Sequence, residues 1–243
     1  MAEMHGLLAS KGKEYLLVLL CFLIMAILVT WPLILHIHDG IPGDAGFIED
    51  GDCYGIPSGS LHASWIVAWD AKTVFTDITD IFQANTFYPS RDSLAFSEYL
   101  ILLGIIGAPV YHLTHNPVLT YNLLLLLGMI FSAFGCYLLI KELTGSRWGG
   151  MVGGLFFAYC PYHLARPDHL WLAFSVFLPF MLLYLYRFLA GDARKHLVLF
   201  ALFFLAQSLV GWHYSVFCAL AAGLLWLWSA LFTREREGWG RLA

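Results

Sequence analysis

Residues 94–113 read LAFSEYLILLGIIGAPVYHL, and whether this stretch crosses a bilayer decides the topology of everything after it. Its length is that of a span, about 20 residues. Yet it carries Glu98 and is interrupted by Gly104, Gly107 and Pro109. Clearer apolar segments lie on either side: Tyr15–Leu35, Tyr121–Ile140, Gly149–Leu164, Leu170–Leu189 and Leu197–Phe232. The last is too long for one crossing. Gly211-Trp212-His213-Tyr214 lies near its middle, so it is expected to fold as a helical hairpin. That makes about six transmembrane helices.

Charge placement decides the ambiguous stretch. If residues 94–113 do not cross, Lys11, Lys13, Lys141, Arg147, Arg187, Arg194, Lys195, Arg234, Arg236 and Arg241 share one side, and only Lys72, Arg91 and Arg166 lie on the other. The positive-inside rule places the larger set in the cytoplasm. If the stretch does cross, every later loop flips and eight of those residues leave the cytoplasm. Residues 94–113 are therefore expected to form a re-entrant or interfacial helix pair, bent from Gly104 to Pro109. Non-helical backbone at that depth must be buried in protein or face a cavity.

Composition agrees with a membrane protein. Of 243 residues 60% are hydrophobic and 12% charged, with mean hydropathy +0.72, and a soluble surface needs more charge than that. The net charge of −4 and the lack of a basic stripe exclude a nucleic-acid groove. Cys21, Cys136, Cys160 and Cys218 lie in apolar runs and Cys53 in a polar loop. No CxxC or CxxCH spacing supports zinc, a disulfide framework or covalent haem. The run from Tyr15 ends in Trp31-Pro32 rather than a small-residue cleavage site, so it is read as a retained first helix and not a signal peptide.

The chain is thus expected to be one all-α membrane domain over 1–243, with a large first extracytoplasmic loop over 36–114 that carries juxtamembrane helices. Asp39, Asp44, Glu49, Asp50, Asp52, Asp70, Asp77, Asp80 and Asp92 lie in that loop. Leu61–Phe75 alternates at helical spacing with Trp65 and Trp69 four apart. An amphipathic helix on the membrane surface is expected there. The turn His163-Leu-Ala-Arg166-Pro-Asp168-His169, together with Glu98 and His213, falls on the same side as the acidic loop. A membrane-level cavity so lined is a candidate site. His36, His38, His112, His115 and His213 are otherwise expected to be ordinary polar helix ends.

Several strings occur in a specific order: Ser64-Trp65-Ile-Val-Ala68-Trp69-Asp70, Asn85-Thr-Phe87-Tyr88-Pro89, Leu94-Ala-Phe96-Ser97-Glu98, Asn116-Pro117-Val-Leu-Thr-Tyr121-Asn122, Leu143-Thr144-Gly145-Ser146, and Phe157-Ala158-Tyr159-Cys160-Pro161-Tyr162, closed by His169-Leu170. Taken together over residues 15–232 they resemble the N-terminal half of bacterial multi-pass GT-C-type glycosyltransferase-like membrane proteins. The resemblance implies a bacterial inner-membrane protein with a cytoplasmic N-terminus, a polyprenyl-phosphate-linked sugar as donor, and a first-loop aspartate as base. Family members are commonly longer, and the chain is expected to be the N-terminal module of such an architecture. The Gly-Asp pair that relatives carry just before the Trp-x-x-x-Trp string is replaced here by Ser58-Gly59-Ser60. The nearest Gly-Asp pairs are Gly43-Asp44 and Gly51-Asp52.

Transfer from a lipid-linked sugar needs a base for the acceptor hydroxyl, and Asp52, then Asp44, are the candidates. Glu98, expensive in an apolar run without a partner or cavity, is a third, with Arg91 as a possible structural partner. Leaving-group phosphate calls for a cation. Arg166 suits bidentate binding, with His163 or His169 assisting and Arg91 as an alternative. Tyr88, Trp65 and Tyr162 are the aromatic groups that could hold the sugar. The acidic loop could supply oxygen ligands to Mg²⁺ or Mn²⁺, but its spacing matches no metal motif and no metal ligand is assigned.

Two rival classes stay open. The chain could be a non-catalytic binding or assembly subunit, which the absent carboxylate at Ser58–Ser60 favours. It could also be a transporter or haem-binding subunit. Most of its histidines, however, sit at span ends, where paired axial ligation is not expected, and no internal repeat marks a transporter.

Overall fold

The computed structural model describes residues 2–42, 58–191 and 193–232. Asp44, Asp52 and Cys53 lie outside the described residues. Within them the fold is helical and has no strand. The α-helices are α1 (Ala2–Val29), α2 (Ser58–Thr73), α3 (Ile101–Thr114), α4 (Pro117–Thr144), α5 (Arg147–Ala158), α6 (Pro161–Leu164), α7 (Leu170–Ala173), α8 (Phe177–Leu189), α9 (Lys195–Val210) and α10 (Trp212–Phe232). Four segments are long and apolar enough to cross a membrane: Gly12–Val29, Pro117–Thr144, Leu170–Leu189 and Trp212–Leu231.

The longest helix after the N-terminus shows why its ends fall where they do. Asn116 accepts the Leu119 amide at 3.0 Å and Pro117 occupies the first turn, where its missing N–H costs nothing. The helix stops at Gly145, whose φ of 69° is the left-handed conformation a C-terminal cap needs. The very next residue, Ser146, accepts the Gly149 amide at 3.0 Å and starts α5. The glycines of α5 bring it onto α4: a Cβ at Gly154 would lie 2.6 Å from the Ala133 carbonyl oxygen and 2.7 Å from Phe22. The tight packing expected of this short Gly-rich segment is therefore what forms.

Three expectations change. Residues 94–113 are not a bent helix pair: a short 3₁₀ turn, Ser93–Phe96, precedes one helix, α3, with Pro109 inside it. Its glycines serve close approach and not bending. A Cβ on Gly104 would meet the Asp70 Cβ at 2.4 Å, and one on Gly107 would meet Thr120 at 2.7 Å. At 14 residues, α3 is, like the 16-residue α9, shorter than the four segments long and apolar enough to cross a membrane.

Second, α2 does not rest on a surface. Ala63, Ile66, Val67 and Ala71 are fully buried, and the first three share one core cluster with Leu103 of α3 and Leu124 and Leu125 of α4. Trp69 donates its indole N–H to the Ile81 carbonyl at 3.0 Å, a staple within the loop. Trp65 packs partly buried against the same cluster.

Third, Leu170–Leu189 is interrupted at Phe174, Ser175 and Val176. Pro179 explains the break: it has no N–H for the Ser175 carbonyl, and its ring clashes there in a continuous helix. The freed backbone is satisfied from α9. The buried Gln207 accepts the Phe177 amide at 3.2 Å and donates to the Phe174 carbonyl at 3.2 Å. Such a break is tolerated only where neighbouring groups satisfy it.

Contacts sort the helix ends into two groups. At one end Glu14 of α1 meets Lys141 of α4 and Arg147 of α5 at its Oε2 (3.1 Å), and Arg187 of α8 meets Glu142 of α4. At the other, Asn122 of α4 donates to the Ile37 and Gly40 carbonyls beyond α1. His213 at the start of α10 faces Glu98 there. Replacing Gln207 with Leu is expected to orphan the Phe174 and Phe177 backbone groups and to cost about 1–2 kcal/mol. The readout is the apparent melting temperature in detergent, and an unchanged value would mean that the break is held by other groups.

Candidate functional site

The chain around Glu98 is pinned on both sides. Ser97 Oγ lies 3.0 Å from His62 Nε2 of α2, and the Leu100 amide donates to Asp70 Oδ2 at 3.2 Å. Leu100 is the N-terminal cap of α3, so a buried carboxyl satisfies an amide that the helix itself leaves unpaired. This holds Glu98 between two fixed points.

Opposite Glu98 stands His213. The glycine break between α9 and α10 presents it, and the Trp212 ring stacks on its imidazole at 4.1 Å between centroids. Its Nδ1 lies 3.6 Å from Glu98 Oε2. Burial raises the Glu98 pKa, while the nearby His213 and then His169 charges lower it in part. Asp168 is buried against the N-terminal turn of α2, where a Cβ on Gly59 would come within 2.8 Å of its Oδ2. That same oxygen is 2.7 Å from His169 Nδ1, close enough for an ion pair but off the direction of a hydrogen bond. His169 packs on the Trp171 ring at 4.9 Å. Tyr121 of α4 holds the turn by donating its hydroxyl to the Pro167 carbonyl.

The cluster's polar groups are incompletely spent. Glu98 Oε2, Asp168 Oδ1, His169 Nδ1 and His213 Nδ1 are all buried and form no hydrogen bond within the protein. Buried polar atoms of this kind are uncommon, and each calls for an explanation such as a bound polar ligand. Among the described residues no three His, Cys, Asp or Glu side chains stand where they could share a metal ion.

The remaining sequence candidates separate. Arg166 is exposed, two residues from Asp168, and forms no ion pair among the described residues. His163 is buried, with Nε2 3.4 Å from the Tyr214 hydroxyl. It ties α6 to α10. Tyr162 is exposed beside it. Arg91 is exposed, and the histidine that faces Glu98 is His213 and not this arginine. Tyr88 is 97% exposed. Trp65 lines a cavity of about 350 Å³ with His62, Asn85, Thr86 and Phe87. Through the His62–Ser97 contact that cavity adjoins the Glu98 segment. Asp44 and Asp52 lie outside the described residues. Pro42 and Ser60, which flank that segment, are joined by a hydrogen bond from the Ser60 hydroxyl to the Pro42 carbonyl.

Asp70 is the group that the sequence pattern does not single out. His213 and Asp168 fall on the side of the candidate cavity, yet His213 reads there as an ordinary helix end and Asp168 is assigned no role. The signal for His213 was its position in a glycine-interrupted apolar run. For Asp70 it was the step from Trp69 at the end of an apolar face. No family model, curated protein or solved structure matches the chain, so the geometry of these residues is what bears on function.

Asp70 has a consequence for stability. It is wholly buried, its Oδ1 has no partner, and burial lifts its pKa from 3.8 to about 7, with the Leu100 amide opposing in part. A carboxyl whose folded pKa is raised stabilises the fold fully below the unfolded value. That contribution is lost as pH rises through the folded one. Stability should therefore fall between about pH 4 and pH 7. Asp70→Asn keeps an acceptor for Leu100 and removes that slope. At pH 8 the variant is expected to be the more stable by up to about 4 kcal/mol, three units at 1.4 each, and near equal at pH 4. Thermal midpoints across this range check it; parallel profiles for the two proteins would contradict it.

Proposed function

We propose that the chain is a membrane glycosyltransferase, or its N-terminal module, that moves a sugar from a polyprenyl-phosphate-linked donor to a hydroxyl acceptor. The observation that carries this reading is the set of buried polar atoms on Glu98, Asp168, His169 and His213 that form no hydrogen bond among the described residues, with the exposed Arg166 two residues before Asp168. A polar substrate with a phosphate and hydroxyls supplies the hydrogen bonds these groups lack. The ordered resemblance to GT-C-type proteins points the same way.

In the proposed reaction Glu98 accepts the proton of the acceptor hydroxyl, whose oxygen attacks the anomeric carbon. The new glycosidic bond forms as the bond from that carbon to the phosphate oxygen breaks. The polyprenyl phosphate leaves with the electron pair, and Arg166 with His169 stabilises its charge. One participating carboxylate implies inversion at the anomeric carbon. A base near neutral pH benefits from a raised carboxyl pKa, the direction in which burial moves Glu98. The cavity at Trp65 and Asn85 offers an aromatic face and an amide to a sugar ring. Asp52 and Asp44 remain candidates for the base on the family resemblance.

The same reading gives the chain six crossings, with α5–α6, α7–α8 and α9 joining α1, α4 and α10. The end with Lys13, Lys141, Arg147 and Arg187 is cytoplasmic and the Glu98 end extracytoplasmic, in the bacterial inner membrane.

The test is turnover and donor binding by the purified protein in detergent. Glu98→Gln is expected to lower kcat by about 10² or more while donor binding persists. Arg166→Ala is expected to weaken donor binding about tenfold, the loss of one charge-assisted contact. Wild-type protein that binds polyprenyl phosphate no better than neutral polyprenol ends the donor reading. Binding without turnover makes the chain a binding subunit.

A further inference from the structure

We infer that the end of the bundle opposite Glu98 carries a binding site for an anionic phospholipid, formed where α1 meets α5. This inference needs the chain to lie in a membrane but does not rest on the glycosyltransferase reading, and it shares no residue with that site.

A cavity of about 430 Å³ opens there between Lys13 and Leu17 of α1 and Arg147, Trp148 and Met151 of α5. Its inner wall is Glu14, which is consumed within the protein. One oxygen accepts from Tyr137 and Lys141, and the other lies 3.1 Å from Arg147 Nε. Two cations, Lys141 and Arg147, thus meet a single carboxylate, and Lys13 stands beside them in the lining, which leaves positive charge at the mouth. Lys13 is exposed and forms no ion pair among the described residues. The Arg147 side chain is 69% exposed and approaches Glu14 through Nε at 3.1 Å. Its terminal nitrogens donate no hydrogen bond among the described residues and can bind two oxygens at once.

The surroundings suit a lipid better than a free ion. Both cations stand at the ends of apolar segments, Lys13 at the start of Gly12–Val29 and Arg147 just beyond Pro117–Thr144. That is the level of lipid headgroups. Trp148 beside them is 81% exposed, as expected of an aromatic anchor at that level. Directly inward, the surface of the cleft turns apolar, with Leu17 67% exposed and Met151 beside it. Phosphate on Arg147 and Lys13 would lay an acyl chain along that stripe. A soluble phosphate would use the cations and leave the stripe unfilled. Basic pockets between helices on the cytoplasmic side take anionic headgroups in this manner.

The experiment is native mass spectrometry of the full chain released from neutral detergent, with phosphatidylglycerol and phosphatidylcholine of matched acyl chains. Wild type is expected to retain phosphatidylglycerol in preference. Lys13→Gln should reduce that preference about fivefold, the worth of one basic residue near an anionic lipid, and Arg147→Gln should reduce it further. Lys13 has no ion-pair partner among the described residues, so its variant is expected to keep the fold and the test stands on it even if Arg147→Gln is unstable. Arg166→Gln, at the opposite end, should leave the preference unchanged. An equal preference in Lys13→Gln and wild type overturns the inference. Displacement of the lipid by millimolar glycerol phosphate also overturns it, because the site would then belong to a soluble phosphate.

Discussion

The crossing of α2 over α3 is the constraint from which the rest of the Glu98 end follows. The two backbones approach until Gly104 touches Asp70, and the Asp70 carboxyl closes the junction by accepting the Leu100 amide. A side chain at Gly104 would force the helices apart, and the loop that carries Glu98 would lose the bond that ends it. The contact is electrostatically expensive, since a carboxyl is buried with one oxygen unpaired. Protonation relieves that expense, because a neutral carboxyl avoids most of the desolvation that an anion would suffer. An acid thus serves as a helix cap in the middle of an apolar core.

Around this junction the molecule is built from short elements joined by breaks that other helices repair. Gln207 satisfies the gap between α7 and α8, Tyr121 steadies the turn before Asp168, and Gly211 separates α9 from α10 just before His213. Each break lies beside the polar cluster or leads into it. Breaks are costly in an apolar environment because every freed N–H and C=O needs a partner. Their concentration at one end is what lets segments distant in sequence, the stretch before α3, the 160s turn and the start of α10, present ionisable groups to one another. The other end is made differently: straight helix termini, glycine-mediated contact between α4 and α5, and ion pairs centred on Glu14. Buried polar groups without hydrogen bonds are thus gathered at one end and surplus positive charge at the other.

Much of this was legible along the chain. Apolar runs of spanning length, the capping signals at Asn116-Pro117 and Ser146, the close-packing glycines of α5 and the break at Gly211 are local properties. Backbone hydrogen bonding in an apolar medium and the steric effect of a missing side chain act within a few residues, so pattern alone reports them. The same holds for Glu98, whose presence in an apolar run calls for a partner. The partner itself was not legible. His213 lies 115 positions further on, and nothing in the spacing distinguishes it from His112 or His115, of which His112 merely approaches the Ala71 carbonyl.

The sequence by itself determined that this is a helical, membrane-type chain and where most of its helices begin and end, because hydropathy and capping depend on neighbours in the chain. Only the tertiary structure decided that α2 belongs to the core and not to a surface. It also decided that Gly104 and Gly107 serve contact and not a bend, and that Glu98, Asp168, His169 and His213 form a cluster. Those outcomes depend on which faces meet, and the meeting of faces is set by close packing among segments far apart in sequence. A one-dimensional pattern does not specify it.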